Sequence, residues 1–547
     1  MRQQPACRAR IVSAPPQEVA QQAPGGPAGR RGGGLLRSTL VFSVMTFLSR
    51  IAGYLRDWLQ ASLFGAGPAV SAFVVAYRIP NYLRRIFAEG SFASAFVPVL
   101  SELKQKGDEE SLQDFINHVA GALLAAVVVV SALGVIAAPW IARLFLAMAP
   151  ADAERVPMAA EMLRITFPYL AFISITAFAG AVLNSFRRFG LPALTPVLHN
   201  LAMMGAMLLL SSQLPIPEYS LAWGVLAAGI LQVLVLWPAM GRLGIRPKFR
   251  FNFRHPGVKR VFNLMLPTIF SSSVAQVNVL VGTVVASALV PAAQAWLYYS
   301  DRLIELPLGL FGVAIGTVIL PQLSRHHADE DAAGYSRSLD WGLRTVMLIG
   351  MPAALGIVLL AEPLTAALFN YGQFTELDTR MVGYALLAMA TGIPAFMLTK
   401  ILLPAFYSRQ DTRTPMRAAV WTVVANVVLT IALVTPLWLA GNPYAHTGIA
   451  LATALAGMLN AALLWRYLRR AGVFRPQPGW GRWLLRILVA LVVMAAVVVV
   501  ARNQVGEWTD LPALWRWIWL LAVIGGGAAA YGVTLAILGL RPRHLRA

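Results

Sequence analysis

The residues of this chain with chemistry to offer are charged side chains inside long apolar stretches. The first stretch contains Ser49-Arg50-Ile51-Ala52-Gly53-Tyr54-Leu55-Arg56-Asp57. Arg50 and Asp57, seven apart, share one helical face; Arg56 falls about 120° away on a regular helix, and Gly53 offers a place to bend it inward. The second stretch holds Arg78, Arg84, Arg85 and Glu89, with Pro80 interrupting it. A later one holds Asp301, Arg302 and Glu305 ahead of Pro307, and Lys400 stands near the end of another. An ionisable group at mid-bilayer costs about 2.5–3.5 kcal/mol on insertion scales, so such groups face a cavity or a partner. Arg85/Glu89 and Arg302/Glu305, four and three apart, are spaced to neutralise one another. Arg84 and Arg85 also lie near enough to an end to snorkel. Those local pairings leave the set unbalanced. Arg50, Arg56, Arg78, Arg84, Arg85, Arg302 and Lys400 outnumber Asp57, Glu89, Asp301 and Glu305. A net-positive interior is expensive unless an anion occupies it, and Arg is the side chain best suited to bidentate phosphate binding. The residues therefore point to a cavity for an anionic, phosphate-bearing substrate, where a cation exporter would favour carboxylates.

The elements that must position these residues follow from composition. Of 547 residues, 58% are hydrophobic and only 13% charged, with mean hydropathy +0.65. A soluble domain carries roughly 25% charged residues. Several soluble domains, a fibrous protein and a mostly disordered one are thereby excluded. The expected fold class is an all-α polytopic membrane protein. The single cysteine, Cys7, excludes a disulfide framework and a Cys-based zinc site. The formal charge of +21 would hint at nucleic acid in a soluble protein, but here its placement in loops matters more.

Apolar stretches near the roughly 20 residues that cross a bilayer recur over 38–62, 68–90, 116–147, 159–184, 192–212, 219–240, 261–288, 292–320, 341–369, 381–405, 416–439, 447–468, 483–502 and 514–538. That predicts about fourteen helices. The runs are continuous rather than alternating, unlike those of a β-barrel. Residues 1–36 read as a disordered basic tail, with no apolar core for a signal peptide. Even-numbered loops are basic: Arg187 and Arg188, seven Lys/Arg in 242–260, then Arg409, Arg413 and Arg417, and Arg466, Arg469, Arg470 and Arg475. Odd-numbered loops such as 65–68, 150–157 and 441–447 carry at most one basic residue. The positive-inside rule then predicts cytoplasmic termini.

An internal repeat is visible. Pro98 and Pro321, Ala72-Phe73 and Ala295-Trp296, and Pro192 and Pro415 all stand 223 residues apart. Asn200 and Asn426 are 226 apart, and Trp237/Trp465 and Gly244/Gly472 are 228 apart. The drift is that of a duplication with small insertions. Each unit holds an even number of helices, six, so the copies form two lobes about an axis along the membrane normal with a site between them. The expected organisation is an N-lobe at 37–241, a basic linker at 242–260, a C-lobe at 261–470, and two added helices within 471–547. A groove beside those two helices could hold an apolar tail. No phosphate-binding glycine loop, His-Glu-x-x-His or Gly-x-Ser-x-Gly occurs, and His326-His327 reads as a solvated pair rather than a metal site. Neither a cofactor nor a metal is expected. Without an ATP-binding motif, energy comes from an ion gradient, the membrane potential or a substrate gradient, and the sequence does not choose among them.

Four motifs carry a family resemblance. Leu83-Arg84-Arg85-Ile86-Phe87-Ala88-Glu89-Gly90, continuing to Pro98, resembles the second-helix signature of the MurJ/MviN lipid II flippases. So do Tyr298-Tyr299-Ser300-Asp301-Arg302-Leu303-Ile304-Glu305 with the run to Pro321, Phe406-Tyr407-Ser408-Arg409-Gln410-Asp411, and Pro476-Gln477-Pro478-Gly479-Trp480. The resemblance runs from about residue 37 to the C-terminus. It implies a fourteen-helix member of the multidrug/oligosaccharidyl-lipid/polysaccharide exporter superfamily that moves lipid II across the bacterial plasma membrane and is not an enzyme. Its cavity arginines match Arg50, Arg56, Arg84 and Arg302, its acidic pair matches Asp57 and Glu305, and its lipid-tail groove runs to the last two helices. The expected substrate site is these four arginines with Ser49 and Arg85. Asp57, Glu89, Asp301, Glu305 and Lys400 are the expected charge partners. Lipid II and membrane lipids are the implied partners, with peptidoglycan-synthesis proteins as further candidates and no nucleic acid. One departure stands out: many members carry an aspartate where this chain has Ser71, so a role for that carboxylate does not transfer. Carriage of another polyprenyl-pyrophosphate glycan, multidrug antiport and a non-transporting scaffold are the competing readings.

Overall fold

The computed structural model describes residues 32–84, 91–146, 155–309 and 313–540, all helix and connecting turns. The first half of the chain gives α1 (Gly32–Phe64), α2 (Pro68–Arg84), α3 (Ser91–Lys106), α4 (Glu109–Leu146), α5 (Arg155–Thr166), α6 (Tyr169–Ser185), α7 (Gly190–Leu210) and α8 (Tyr219–Gly241). The second gives α9 (Pro256–Ala288), α10 (Ala293–Pro307), α11 (Val313–Ala328), α12 (Ala332–Leu359), α13 (Ala361–Phe369), α14 (Glu376–Ala390), α15 (Ile393–Tyr407), α16 (Arg413–Leu439) and α17 (His446–Arg470). Two more follow, α18 (Trp480–Asn503) and α19 (Ala513–Ile537). A helix satisfies its own backbone, which is why long apolar sequences in lipid take this form. Among the described residues nine spans are long and apolar enough to cross a membrane, or ten if the bent pair α14–α15 is one span.

Several expected spans are not a single described helix. The stretch 68–90 is described as helix as far as Arg84 and again, as α3, from Ser91; Arg85 and Glu89 lie outside the described residues. The stretch 292–320 is described as α10 and α11, with 310–312 outside the described residues. Proline sets breaks in others, because it lacks an N–H and resists continuation of the preceding turn. Pro168 separates α5 from α6, and Pro394 opens α15, which meets α14 at 46°. Gly53, by contrast, does not interrupt α1, which runs unbroken. An added Cβ there would lie 3.6 Å from Asn200 Nδ2, an ordinary contact.

The duplication is visible in these irregularities. The α5/α6 break of the first half recurs as α14/α15 in the second. Arg187 and Gln410, 223 residues apart, both adopt φ 60°, each in the turn after a helix. A left-handed residue is costly without glycine, so its recurrence at one register marks a common ancestor better than apolar similarity does.

Among the described residues the halves share one large core, and at the other end only α9, through Val261 and Met265, joins the core of the first half. Phe73, Tyr299, Phe369 and Phe374 belong to one buried cluster that crosses between them. Residues of α3, α4, α6 and α8, such as Phe96, Phe115, Phe178 and Leu236, form a separate cluster at the end carrying the basic loops. Between the halves a cleft remains beside α1, α2 and α10. At the opposite end Gln373 N–H donates to Ser62 O (3.0 Å), and the Tyr299 hydroxyl donates to Gly65 O (3.1 Å). Gly372 sits there at φ 58°, where an added Cβ would lie 2.2 Å from Ser62 O. One helix belongs to both sides. Near its start α9 meets the first half through Arg260–Glu102 (2.8 Å) and His255–Asp114 (3.1 Å), and further on it packs against α16 and α17.

The final pair is fastened by the Pro-Gln-Pro-Gly-Trp motif. Buried Asp340 of α12 accepts from Gln477 N–H (3.0 Å) and Trp480 Nε1–H (2.7 Å) and pairs with Arg344 (2.7 Å). Arg344 donates in turn to the carbonyls of Gln477 and Pro478 and lies over the Trp480 ring. A third apolar cluster, including Trp483, Met494 and Leu520, seats α18 and α19 against α12 and α13.

Candidate functional site: an arginine-lined cavity

Between the halves lies a cavity of about 370 Å³. Its charged lining is Arg50, Arg56 and Asp57 from α1, Arg84 from α2, and Arg302 and Glu305 from α10, with Ser49 beside them. Four arginines thus face two carboxylates.

Asp57 is the hub. Its Oδ1 accepts from Arg56 Nε (3.0 Å), Arg56 Nη2 (2.6 Å) and the Tyr298 hydroxyl (2.9 Å), while Arg302 Nε approaches Oδ2 at 3.5 Å. Arg56 and Asp57 are 7% and 5% exposed, so burial alone would forbid either charge without the other. Arg56 Nη1 also donates to Asn200 Oδ1 (3.0 Å), whose Nδ2 donates to Ser49 O (3.2 Å). Arg302 pairs with Glu305 (2.8 Å) and stands 5.0 Å from the Tyr298 ring centre. Arg84 Nε donates to Asn81 Oδ1 (2.9 Å). The guanidinium of Arg50 crosses to the second half at Gly309, where an added Cβ would come 2.0 Å from Nη1. A side chain there would have to push the guanidinium aside.

The structure brings together Ser49, Arg50, Arg56, Asp57, Arg84, Arg302 and Glu305 as expected site residues. It places two others elsewhere. Lys400 is exposed on α15, outside the cavity lining. Asp301 pairs not with a cavity arginine but with Arg78, at 3.9 Å. The reason is helical direction: Asp301 is one residue, or about 100°, from Arg302 around α10. Arg78 also donates to Thr283 Oγ1 (2.9 Å) and Gln294 Oε1 (2.8 Å), tying α2 to α9 and α10. Arg78 and Asp301 are themselves 223 apart, so this tie joins repeat-equivalent positions.

Apart from Ser49, sequence reasoning missed the uncharged residues of the site. Asn200 carried a signal, as a polar repeat partner of Asn426 inside an apolar run, but its bond to Arg56 required the fold. Tyr298 lay inside a family motif with nothing to single it out. Ser71 proves informative despite its departure from the usual aspartate. It is fully buried, and its hydroxyl accepts from the backbone N–H of Ala295, in the first turn of α10 (3.2 Å). The position therefore caps a helix across the interface between halves, a place where a carboxylate would also be favoured by the helix dipole. Ser71→Ala is expected to remove about 1 kcal/mol from the sealed end, shifting the closed-to-open ratio there by about fivefold. Spin-label distances between α2 and α10 would read the shift; an unchanged distribution would exclude this role.

The guanidiniums are planar forks of N–H donors, the side-chain geometry that matches phosphate oxygens. Comparison with known proteins gives the lineage. Residues 60–516 match the family model described as lipid II flippase MurJ. A Burkholderia cenocepacia protein named lipid II flippase MurJ is 38% identical over 94% of this chain and 98% of its own length. A Haemophilus influenzae protein, named as a probable lipid II flippase MurJ, is 40% identical over 92% of this chain and 99% of its own. A solved lipid II flippase MurJ in an inward closed conformation superposes with TM-score 0.75 at 26% identity, covering 91% of this chain and 98% of that one. An inward-facing multidrug MATE transporter shares the fold at TM-score 0.64 and 14% identity, over 80% of this chain and 98% of that one. With a family model matched over most of its length and full-length relatives near 40% identity, the chain belongs to the lipid II flippase MurJ family.

Proposed function

We propose that this protein is a multi-pass transporter of the plasma membrane that moves lipid II, the undecaprenyl-pyrophosphate-linked peptidoglycan precursor, from the inner to the outer leaflet. The observation that carries the reading is the excess of arginine lining one cavity, four guanidiniums against two carboxylates. Arg50, Arg56, Arg84 and Arg302 bind the pyrophosphate, joined by Ser49 and Arg85. Asp57, Glu89 and Glu305 hold the arginines when the site is empty and re-pair with them at release. The cleft takes up the headgroup from the cytoplasm; the lobes at 37–241 and 261–470 then rock and deliver it outside. Fourteen spans with both termini cytoplasmic fit the basic loops. The ten spans that pass by length and composition are then joined by α1, α9 and the pairs α2–α3 and α10–α11. The prenyl tail stays in lipid beside α18 and α19. No ATP-binding motif is present in the sequence, so transport draws on an ion gradient, the membrane potential or consumption of the precursor outside.

Depleting the protein from its host and re-expressing wild type or Arg302→Ala tests this reading. Lipid II is expected to accumulate on the cytoplasmic leaflet with the variant and to be cleared by wild type. Accumulation of a different lipid-linked glycan, or of a drug, would overturn the substrate assignment.

A further inference from the structure

The cavity wall carries polar atoms that the rest of the protein leaves unused. His199 on α7 is 9% exposed, and neither ring nitrogen has a hydrogen-bond partner among the described residues. Its ring is flanked by those of Tyr77 and Tyr169 at 6.3 and 5.9 Å. Gln232 on α8 is 2% exposed. Its Nε2 donates to Thr195 O (2.8 Å), and its Oε1 has no partner. The buried hydroxyl of Tyr54, on α1, has none either. All three residues line the arginine cavity. Leaving a buried polar group unsatisfied is costly, so such groups are retained where something else satisfies them.

The chemistry of that something is restricted. The Thr195 carbonyl only accepts, which fixes the Gln232 amide with its NH₂ toward Thr195 and its Oε1 away. That oxygen can only accept as well, so its ligand must bring a donor. A pyrophosphate at neutral pH offers acceptors alone and cannot fill the place. Sugar hydroxyls and N-acetyl amides offer donors and acceptors together, which also suits a neutral imidazole and a phenol. The wall adjoins the charged cluster directly, since Asn200, next to His199, is bound to Arg56.

We propose that His199, Gln232 and Tyr54 form an uncharged subsite that receives the glycan part of the headgroup, while the arginines hold its phosphates. This rests on the lipid II reading and deepens it.

The test is binding of two probes, lipid II and undecaprenyl pyrophosphate, to the full-length protein in nanodiscs. His199→Leu and Gln232→Leu are each expected to weaken lipid II binding about tenfold and to leave undecaprenyl pyrophosphate within twofold of wild type. His199→Gln, which keeps a donor and an acceptor, should retain most of the affinity. Thermal stability gives an independent readout: His199→Leu replaces an unsatisfied buried group by an apolar one and is expected not to lower the melting temperature. Variants that bind lipid II as wild type does, or that lose both probes equally, overturn the subsite. Wild type that binds neither probe above a phospholipid control overturns the transport reading, and the subsite with it.

Discussion

Arg56→Met is expected to reduce lipid II transport by at least about 30-fold, in line with the 2–5 kcal/mol lost when one partner of a buried charge pair is truncated. It should also destabilise the protein, because Asp57 would remain buried without its main partner. That cost is about 3 kcal/mol, the low end for breaking a buried pair, since Tyr298 and Arg302 still reach the carboxylate. The second variant separates the two effects. Replacing both partners, Arg56→Met with Asp57→Leu, removes the stranded charge and should recover most of the stability while transport stays lost. Thermal unfolding and a leaflet-accessibility assay for lipid II read the two quantities on the same preparations. If the double variant regained transport along with stability, the pair would be a structural staple and no part of substrate binding.

The second large effect is expected far from the cavity. Asp340→Ala would strand Arg344 and leave the N–H groups of Gln477 and Trp480 without their acceptor, at about 3–5 kcal/mol. The loss falls on one attachment. At the other end of the final helix pair Arg516 still binds the carbonyls of Asn370 and Leu511, and further along α19 Tyr531 still donates to Leu348 O. The expected outcome is therefore local release, with residues 471–479 becoming sensitive to protease while α1–α17 remain resistant. Asp340→Asn, which keeps one acceptor, should show a weaker form of the same pattern. A digestion profile identical to wild type would mean that the apolar packing of Trp483, Met494 and Leu520 suffices by itself.

The class of fold and the charged part of the site were legible because both follow from free energies too large to hide. A chain with 13% charged residues has few ways to be folded, and an arginine in an apolar run announces a cavity or a partner. What each charge faces was not legible. Arg302 and Asp301 are neighbours in sequence, yet one reaches Asp57 and the other Arg78, a distinction decided by where α10 lies against α1 and α2. Lys400 looks like a cavity residue by composition and is exposed on α15. Helix breaks were equally hard to read, since an apolar stretch of the right length conceals whether one helix or two cross it. Ser71 shows the converse case. Judged against the family pattern it is a loss, and only the approach of α10 reveals that its hydroxyl keeps an acceptor in place.

The two halves repeat one plan, yet α9 departs from its counterpart α1. The start of α9 is fixed to α3 and α4 of the opposite half, whereas α1 has no comparable packing against α11 among the described residues. The cleft is thus bound along one margin and free along the other, as pages are held at a spine. Were the halves to part, that packing would hold the α9 margin and leave the α1–α11 margin to open. A long cargo with one end in the membrane would then pass on one side only, the side set by the single packing that the duplication did not copy.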